Sequence, residues 1–308
     1  MNKYDNLYAI QTISSAEKKN RKNKIIIISL LIICLLILVY LLVITSINIK
    51  KLKQAKEYEK QIEIYRKNYE MVEEQRWQEE EKKKLSKLPK LTEEGKENFR
   101  TIFNSDKKRA FLTFDDGPSS VTSDILKILD DKGVRATFFL LGQNVERNKE
   151  LVKTIYNKGH FIGNHSYSHI YSKIYEAPEK VLEEYIKTNN IIREAINEPE
   201  FDSHLFRFPG GFYGGKYASV KKEASELLKQ NDILNIDWNC LTGDSETTNP
   251  TPEYVMKRLE ETSKGKNSLV ILMHDAPVKK ITAEMLPQII DYLSNEGYQF
   301  VTFYDIFK

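Results

Sequence analysis

Asp115 and Asp116 stand side by side in "FLTFDDGP" (111–118), behind an apolar run and just before a chain-turning Gly-Pro. Alone, the pair suits a strand end whose aspartate caps the following turn. Two adjacent carboxylates in a dry pocket repel, however, unless a divalent cation shares it. Further on, "GNHSYSHI" spaces His165 and His169 four apart, so on a helix or tight loop both imidazoles can face one point. Two neutral imidazoles and a carboxylate form a common site for zinc and similar ions, with room left for water. Taken in isolation, the histidines also fit a surface or capping pair, and Ser166 and Ser168 either bind substrate or cap. Together the segments let one aspartate ligate a metal while its neighbour remains free as a base. The chemistry this suggests is metal-assisted hydrolysis.

Scattered residues of this kind need a scaffold that gathers them. From Ala110 onward, short β-rich runs alternate with amphipathic helical stretches. The runs are 110–114, 136–141, 161–163, 205–208, 233–237, 269–273 and 300–303, and helical patterns cover 123–132, 179–196 and 252–264. Such alternation predicts a parallel α/β fold, either an open sheet or a barrel close to the (β/α)8 type. Asp115 and Asp116 follow the first run, His165 the third and His274 the sixth; Arg207 sits in the fourth and Asp237 ends the fifth. In a parallel barrel, strand C-termini share one face, so these residues are expected to converge.

The region from 110 to 308 resembles the NodB-homology polysaccharide deacetylases, carbohydrate esterase family 4. The resemblance rests on five ordered segments: "TFDDGP" (113–118), "HSYSH" (165–169), "RFPGG" (207–211), "DWN" (237–239) and "ILMH" (271–274). It implies a distorted (β/α) barrel of about seven parallel strands. It also implies that Asp116, His165 and His169 bind the metal, zinc or sometimes cobalt or another divalent ion, and that Asp115 is the general base. Arg207 would orient and charge-balance Asp115; His274 would be the general acid, held protonated by Asp237; Leu272 would line an acetyl-methyl pocket. The third segment departs from the family pattern. An aromatic often follows its proline and offers a backbone N–H to the oxyanion, whereas this chain has Gly210 and Gly211. A glycine N–H can fill that role, and Phe212, Tyr213 or Trp238 is left to supply the aromatic wall. Asp244, Asp275, His160 and His204 carry no assigned role, and Cys240 reads as a small buried apolar residue.

The N-terminal third has another texture. Residues 25–47 are 23 positions without a charge, and a helix of that length spans about 35 Å, enough to cross a bilayer. The run is long for a signal-peptide core, and "LVITSINIKK" offers no convincing small-residue cleavage site. Five basic residues on one flank (Lys18, Lys19, Arg21, Lys22, Lys24) face five on the other (Lys50, Lys51, Lys53, Lys56, Lys60), so charge does not orient the span. Residues 50–88 hold 10 Lys, 2 Arg and 9 Glu and no Gly or Pro, which predicts a solvated helix. Ala55, Tyr58, Ile62, Tyr65, Tyr69 and Val72 form a short heptad-like stripe, after which Arg76, Glu79 and Lys83 interrupt it; the segment is either a spacer or a homodimer seam. The expected organisation is a short cytoplasmic tail (1–24), a transmembrane helix (25–47), a charged helical stalk and linker (48–105) and an extracellular catalytic domain (106–308).

Cys34 and Cys240 should not meet, so no disulfide framework is expected, and a dispersed net charge of +3 gives no case for nucleic-acid binding. These readings converge on a single-pass membrane protein that removes N-acetyl groups from N-acetylglucosamine in an extracellular polysaccharide, peptidoglycan foremost. N-acetylmuramic acid, poly-N-acetylglucosamine and chitin oligomers remain open as substrates. The competing class is a catalytically idle glycan-binding or scaffold protein, which the intact set of acids and histidines disfavours.

Overall fold

A computed structural model describes the backbone of residues 3–85 and 88–307, with side chains over 17–77 and 88–307. The side chains of Glu79 and Lys83, which interrupt the stripe, and those of the first 16 residues lie outside the described set. The chain divides into two compact units, Met1–Glu79 and Glu80–Lys308. The first lies within one helix, α1 (Lys3–Leu85), which runs unbroken from the expected tail through the span and into the stalk. No Gly or Pro occurs before Pro89, so nothing in this stretch breaks the hydrogen-bond ladder. The apolar side chains of 25–43 stay exposed, Leu31 and Leu36 by more than 60%. Among the described residues, α1 is the one helix long and apolar enough to cross a membrane.

In the second unit, α2 (Glu93–Arg100) precedes β1 (Arg109–Asp115), α3 (Ser120–Lys132), β2 (Thr137–Leu140), α4 (Gly142–Arg147), α5 (Lys149–Asn157), β3 (Phe161–Asn164), α6 (Tyr171–Ile174) and α7 (Pro178–Ile196). There follow β4 (Leu205–Phe206), α8 (Ala218–Gln230), β5 (Leu234–Asn235), β6 (Cys240–Leu241), α9 (Pro252–Ser263), β7 (Ser268–His274), α10 (Lys280–Asn295) and β8 (Gln299–Phe300). Every ladder is parallel. The strand order is β5-β4-β3-β2-β1-β7-β6, with β8 paired to the start of β1. Each of the seven expected runs overlaps a strand, the last at Phe300 alone; β6, only Cys-Leu, lay between them without an apolar run to mark it.

The order itself requires curvature. β5 and β6 end the path at opposite sides, yet few residues join them, a reach of at most about 18 Å. Seven strands laid flat would separate these edges by about 29 Å. The sheet therefore curls into an incompletely closed barrel.

Period-two alternation sorts its side chains. On β1, Ala110, Leu112 and Phe114 join the core beneath the helices, whereas Phe111 enters the interior cluster, with Thr113 and Asp115 above it on the same face. On β7, Leu269, Ile271 and Met273 face the helices while Val270 faces in, followed by Leu272 and His274. Phe303 seals the interior, its ring 5.0 Å from Phe111 and 5.7 Å from Phe161 between centroids. Burial of such a side chain contributes about 1.5–3 kcal/mol. The apolar interior below leaves the polar ends of β1 and β7 together at the top.

Candidate active site

Register brings the first pair together. Asp115, last in β1, lies opposite His274, last in β7. Asp115 is buried, and its Oδ1 accepts from Arg207 Nη1 at 2.9 Å. Arg207, 0% exposed, also donates through Nη1 to Thr113 Oγ1 (2.7 Å) and through Nε to the Ile236 carbonyl (3.1 Å), and its guanidinium lies 4.0 Å above the Phe139 ring. Burial raises the Asp115 pKa, and the Arg207 charge and hydrogen bond oppose that rise.

The next residue turns the chain. Asp116 sits in the left-handed region at φ 75°, which aspartate tolerates better than most side chains. Asn144 Nδ2 holds its carbonyl at 2.8 Å. A Cβ at Gly117 would collide with the Asp275 carboxylate, so the glycine of "DDGP" is required by close approach. Asp275 is itself buried, accepts from Thr122 Oγ1 and has its pKa pushed up to about 7 by burial. Its main-chain N–H donates to the Asp115 carbonyl at 3.0 Å, tying the two strand ends together.

His165 and His169 lie on the loop between β3 and α6, with Ser166 and His169 at φ 72° and 55°. Both serines cap. Ser166 Oγ accepts from His169 N–H, and Ser168 Oγ donates to Glu184 Oε1. Glu184 of α7 also accepts the Tyr167 and Ser168 N–H groups at 2.9 and 3.0 Å, an organising role that its helical setting in the sequence did not signal.

The three expected ligands meet. Donor atoms of Asp116, His165 and His169 all lie within 4.8 Å of one another, with Asp116 Oδ1 3.6 Å from His165 Nε2 and 3.4 Å from His169 Nε2. Tetrahedral donors about 2.0–2.1 Å from zinc are themselves about 3.3–3.4 Å apart. Asp116 Oδ1 is buried without a hydrogen-bond partner among the described residues. His165 Nδ1 lies 2.8 Å from the Arg207 carbonyl, which places its proton there and leaves Nε2 as a donor to metal. Burial lowers the His165 pKa to about 3, keeping the ring neutral as ligation requires. The residues fit a divalent ion.

Asp237 does not hold His274. That partner is Asp244, whose Oδ1 is 2.9 Å from His274 Nδ1 and whose Oδ2 accepts the His274 main-chain N–H at 2.7 Å. Thr282 Oγ1 donates to the same Oδ2 at 2.8 Å. Topology explains the exchange: Asp237 follows β5 at one end of the sheet, whereas Asp244 follows β6, which pairs with β7. Burial alone would lower the His274 pKa, but the hydrogen bond and charge of Asp244, supported by Asp115 and Asp116, raise it to about 9. Asp237 instead accepts the Phe212 N–H on both oxygens, at 3.0 and 2.9 Å. Burial raises its pKa against that bond and the charges of Arg207 and Lys221.

These groups surround a cavity of about 110 Å³ lined by Asp115, Asp116, His165, His169 and His274, with Tyr171, Phe208, Gly210, Gly211, Trp238 and Leu272 as walls. The Gly211 N–H is spent on the Phe208 carbonyl at 2.8 Å, whereas the Gly210 N–H has no acceptor among the described residues, and Gly210 lines the cavity. Trp238 backs Gly211, as one of the expected alternatives. The other wall is Tyr171, which the sequence did not single out; a Cβ at residue 210 would come within 2.6 Å of its hydroxyl. Tyr213, 83% exposed, does not line this cavity.

A family model described as polysaccharide deacetylase matches residues 103–227. The putative polysaccharide deacetylase YheN of Bacillus subtilis is 32% identical over 208 residues, 66% of this chain and 70% of that protein. A peptidoglycan-N-acetylglucosamine deacetylase of Bacillus cereus is 34% identical, over 66% of this chain and 69% of its own length. The structure of a Streptococcus mutans CE4 esterase superposes with a TM-score of 0.59 at 34% identity, covering 67% of this chain and 90% of that one. With the same half-barrel and this degree of identity, the chain belongs to the polysaccharide deacetylase family, carbohydrate esterase family 4.

Proposed function

We propose that this chain hydrolyses the N-acetyl group of N-acetylglucosamine residues in an extracellular polysaccharide, peptidoglycan foremost, with a divalent ion of the zinc or cobalt type. The observation that carries this reading is the pairing of a buried carboxylate, Asp115, with a histidine bonded to its own carboxylate, His274 to Asp244, across one small cavity beside a three-donor set.

Asp116, His165 and His169 would hold the ion, which supplies Lewis-acid polarisation of the acetyl carbonyl and lowers the pKa of water. Asp115 has Oδ1 engaged by Arg207, so Oδ2 takes the proton from the attacking water. The Gly210 N–H, at the cavity wall, would receive the negative charge that develops on the carbonyl oxygen. His274 Nε2 gives its proton to the departing nitrogen, and Asp244 keeps that proton in place until the C–N bond breaks. Leu272 and Trp238 enclose the acetyl methyl. Water's oxygen ends in acetate, and the sugar leaves as an amine.

A second, larger groove of about 1190 Å³ continues from Gly210, Gly211 and Trp238 along Phe212 and Tyr213 to Phe99 and Phe103. Its size suits a polymer strand better than a free sugar. The decisive measurement is acetate release by the metal-depleted full-length protein in detergent, from N-acetylglucosamine oligomers and from purified peptidoglycan. Release that appears on adding zinc or cobalt is expected; none from either substrate, by folded metal-loaded protein, overturns the reading.

The exposed apolar stretch of α1 supports a membrane anchor that keeps the enzyme near a wall polymer. Tyr58, Ile62, Tyr65, Tyr69 and Val72 are all exposed on the single helix, which supports pairing of two copies through the stalk. Sedimentation of the full-length protein in detergent should give the protein mass of a dimer, and a monomer mass would rule the seam out.

A further inference from the structure

The loop that carries the Gly210 N–H has successive glycines at φ 74° and 77°, a backbone with more freedom to lose than any other. It is pinned from beneath at several points. Tyr175 Oη donates to the Pro209 carbonyl at 2.7 Å, and the Gly211 N–H donates to the Phe208 carbonyl. The Gly211–Phe212 peptide is gripped at both ends: Lys221 Nζ donates to its carbonyl and Asp237 accepts its N–H.

Lys221 is an unusual choice for that task. It lies on α8 with only 5% of its surface exposed, its ammonium 4.9 Å from the Tyr175 ring centroid. Lysine is almost never buried without a carboxylate partner. Among the described residues no carboxylate lies within ion-pair distance of Lys221, and its hydrogen bond goes to one main-chain carbonyl. Burial lowers the Lys221 pKa, with Asp237 opposing, so the placement costs desolvation, against which stand the carbonyl hydrogen bond and the Tyr175 ring. A group held at such a cost is better explained by what it positions.

We propose that Lys221 is a positioning residue: by holding the Gly211–Phe212 peptide against Asp237, it fixes the Gly210 N–H at the wall of the catalytic cavity. The proposal rests on the deacetylase reading for what that N–H does, but the clamp has its own readout. Full-length wild type, Lys221→Met and Lys221→Arg in detergent would be compared by hydrogen exchange over 209–213, by melting temperature and by steady-state acetate release. Methionine keeps the packing of the stem and removes the donor, whereas arginine retains a donor. In Lys221→Met, loop exchange should quicken by about tenfold or more, and kcat should fall about 10–100-fold with KM within about twofold. Lys221→Arg should recover most of both. Unchanged exchange in Lys221→Met overturns the clamp whatever the activity. A loss of kcat that tracks a lower melting temperature, and that arginine does not rescue, marks a merely structural lysine and also overturns it. If wild type releases no acetate while Lys221→Met still loosens the loop, the clamp stands and the deacetylase reading fails.

Discussion

Asp115→Asn is expected to lower kcat for acetate release about 10²–10⁴-fold, the range over which a positioned general base acts, while zinc still binds at one ion per chain. The substitution keeps the size of the side chain and an oxygen able to accept from Arg207 Nη1, but removes the group that takes water's proton. Zinc binding should survive because Asp116, His165 and His169 supply the donors and Asp115 Oδ2 stands off, 3.9 Å from His165 Nε2. Stability must be measured alongside. Arg207 is wholly buried, its Nη2 has no partner among the described residues, and breaking a buried ion pair costs about 3–5 kcal/mol when one charge is left alone. Asparagine, still an acceptor, should cost less. A folded, zinc-loaded Asp115→Asn protein with wild-type turnover would remove Asp115 from the mechanism.

What the sequence made legible follows from which signals are local. β1 and β7 are seven-residue strands whose alternation separates helix-facing from interior residues, and both show as apolar runs ending in the polar groups that matter, Asp115 and His274. The candidate donor cluster was legible because "DDG" and "HSYSH" carry it in two short segments, while the choice of Asp116 over Asp115 rested on the family resemblance. Asp244 was not. Its strand, β6, contains only Cys240 and Leu241, too short to show a period, so an acid beyond it resembled any turn residue. Strand order compounds this: whether Asp237 or Asp244 meets His274 depends on β5 and β6 lying at opposite ends of the sheet, which no local pattern encodes. Tyr171 was hidden in the same way, because its place beside Gly210 arises from a loop whose left-handed residues, Ser166 and His169, turn the chain back on itself.

The same topology yields a test that separates the two aspartates. In the wild type, turnover should rise with pH as Asp115 loses its proton, through a pKa that burial has raised, and should fall again as His274 loses its own near about 9. The acid limb reports the base and the alkaline limb reports the acid. Asp244→Asn removes the charge and weakens the hydrogen bond that outweigh desolvation at His274, so the imidazolium should lose its proton at or below the ordinary histidine value of 6.5. At pH 8 only a few per cent of His274 would then be protonated, against about nine-tenths in the wild type, and turnover there should fall about 30–100-fold. The alkaline limb should move down toward neutral pH. Asp237→Asn should leave that limb near pH 9, because Asp237 holds the Phe212 N–H and makes no hydrogen bond to His274; it should lower kcat without moving the alkaline limb. If instead Asp237→Asn shifted the alkaline limb and Asp244→Asn did not, proton retention at His274 would have to be reassigned to the residue after β5, against the order of the strands.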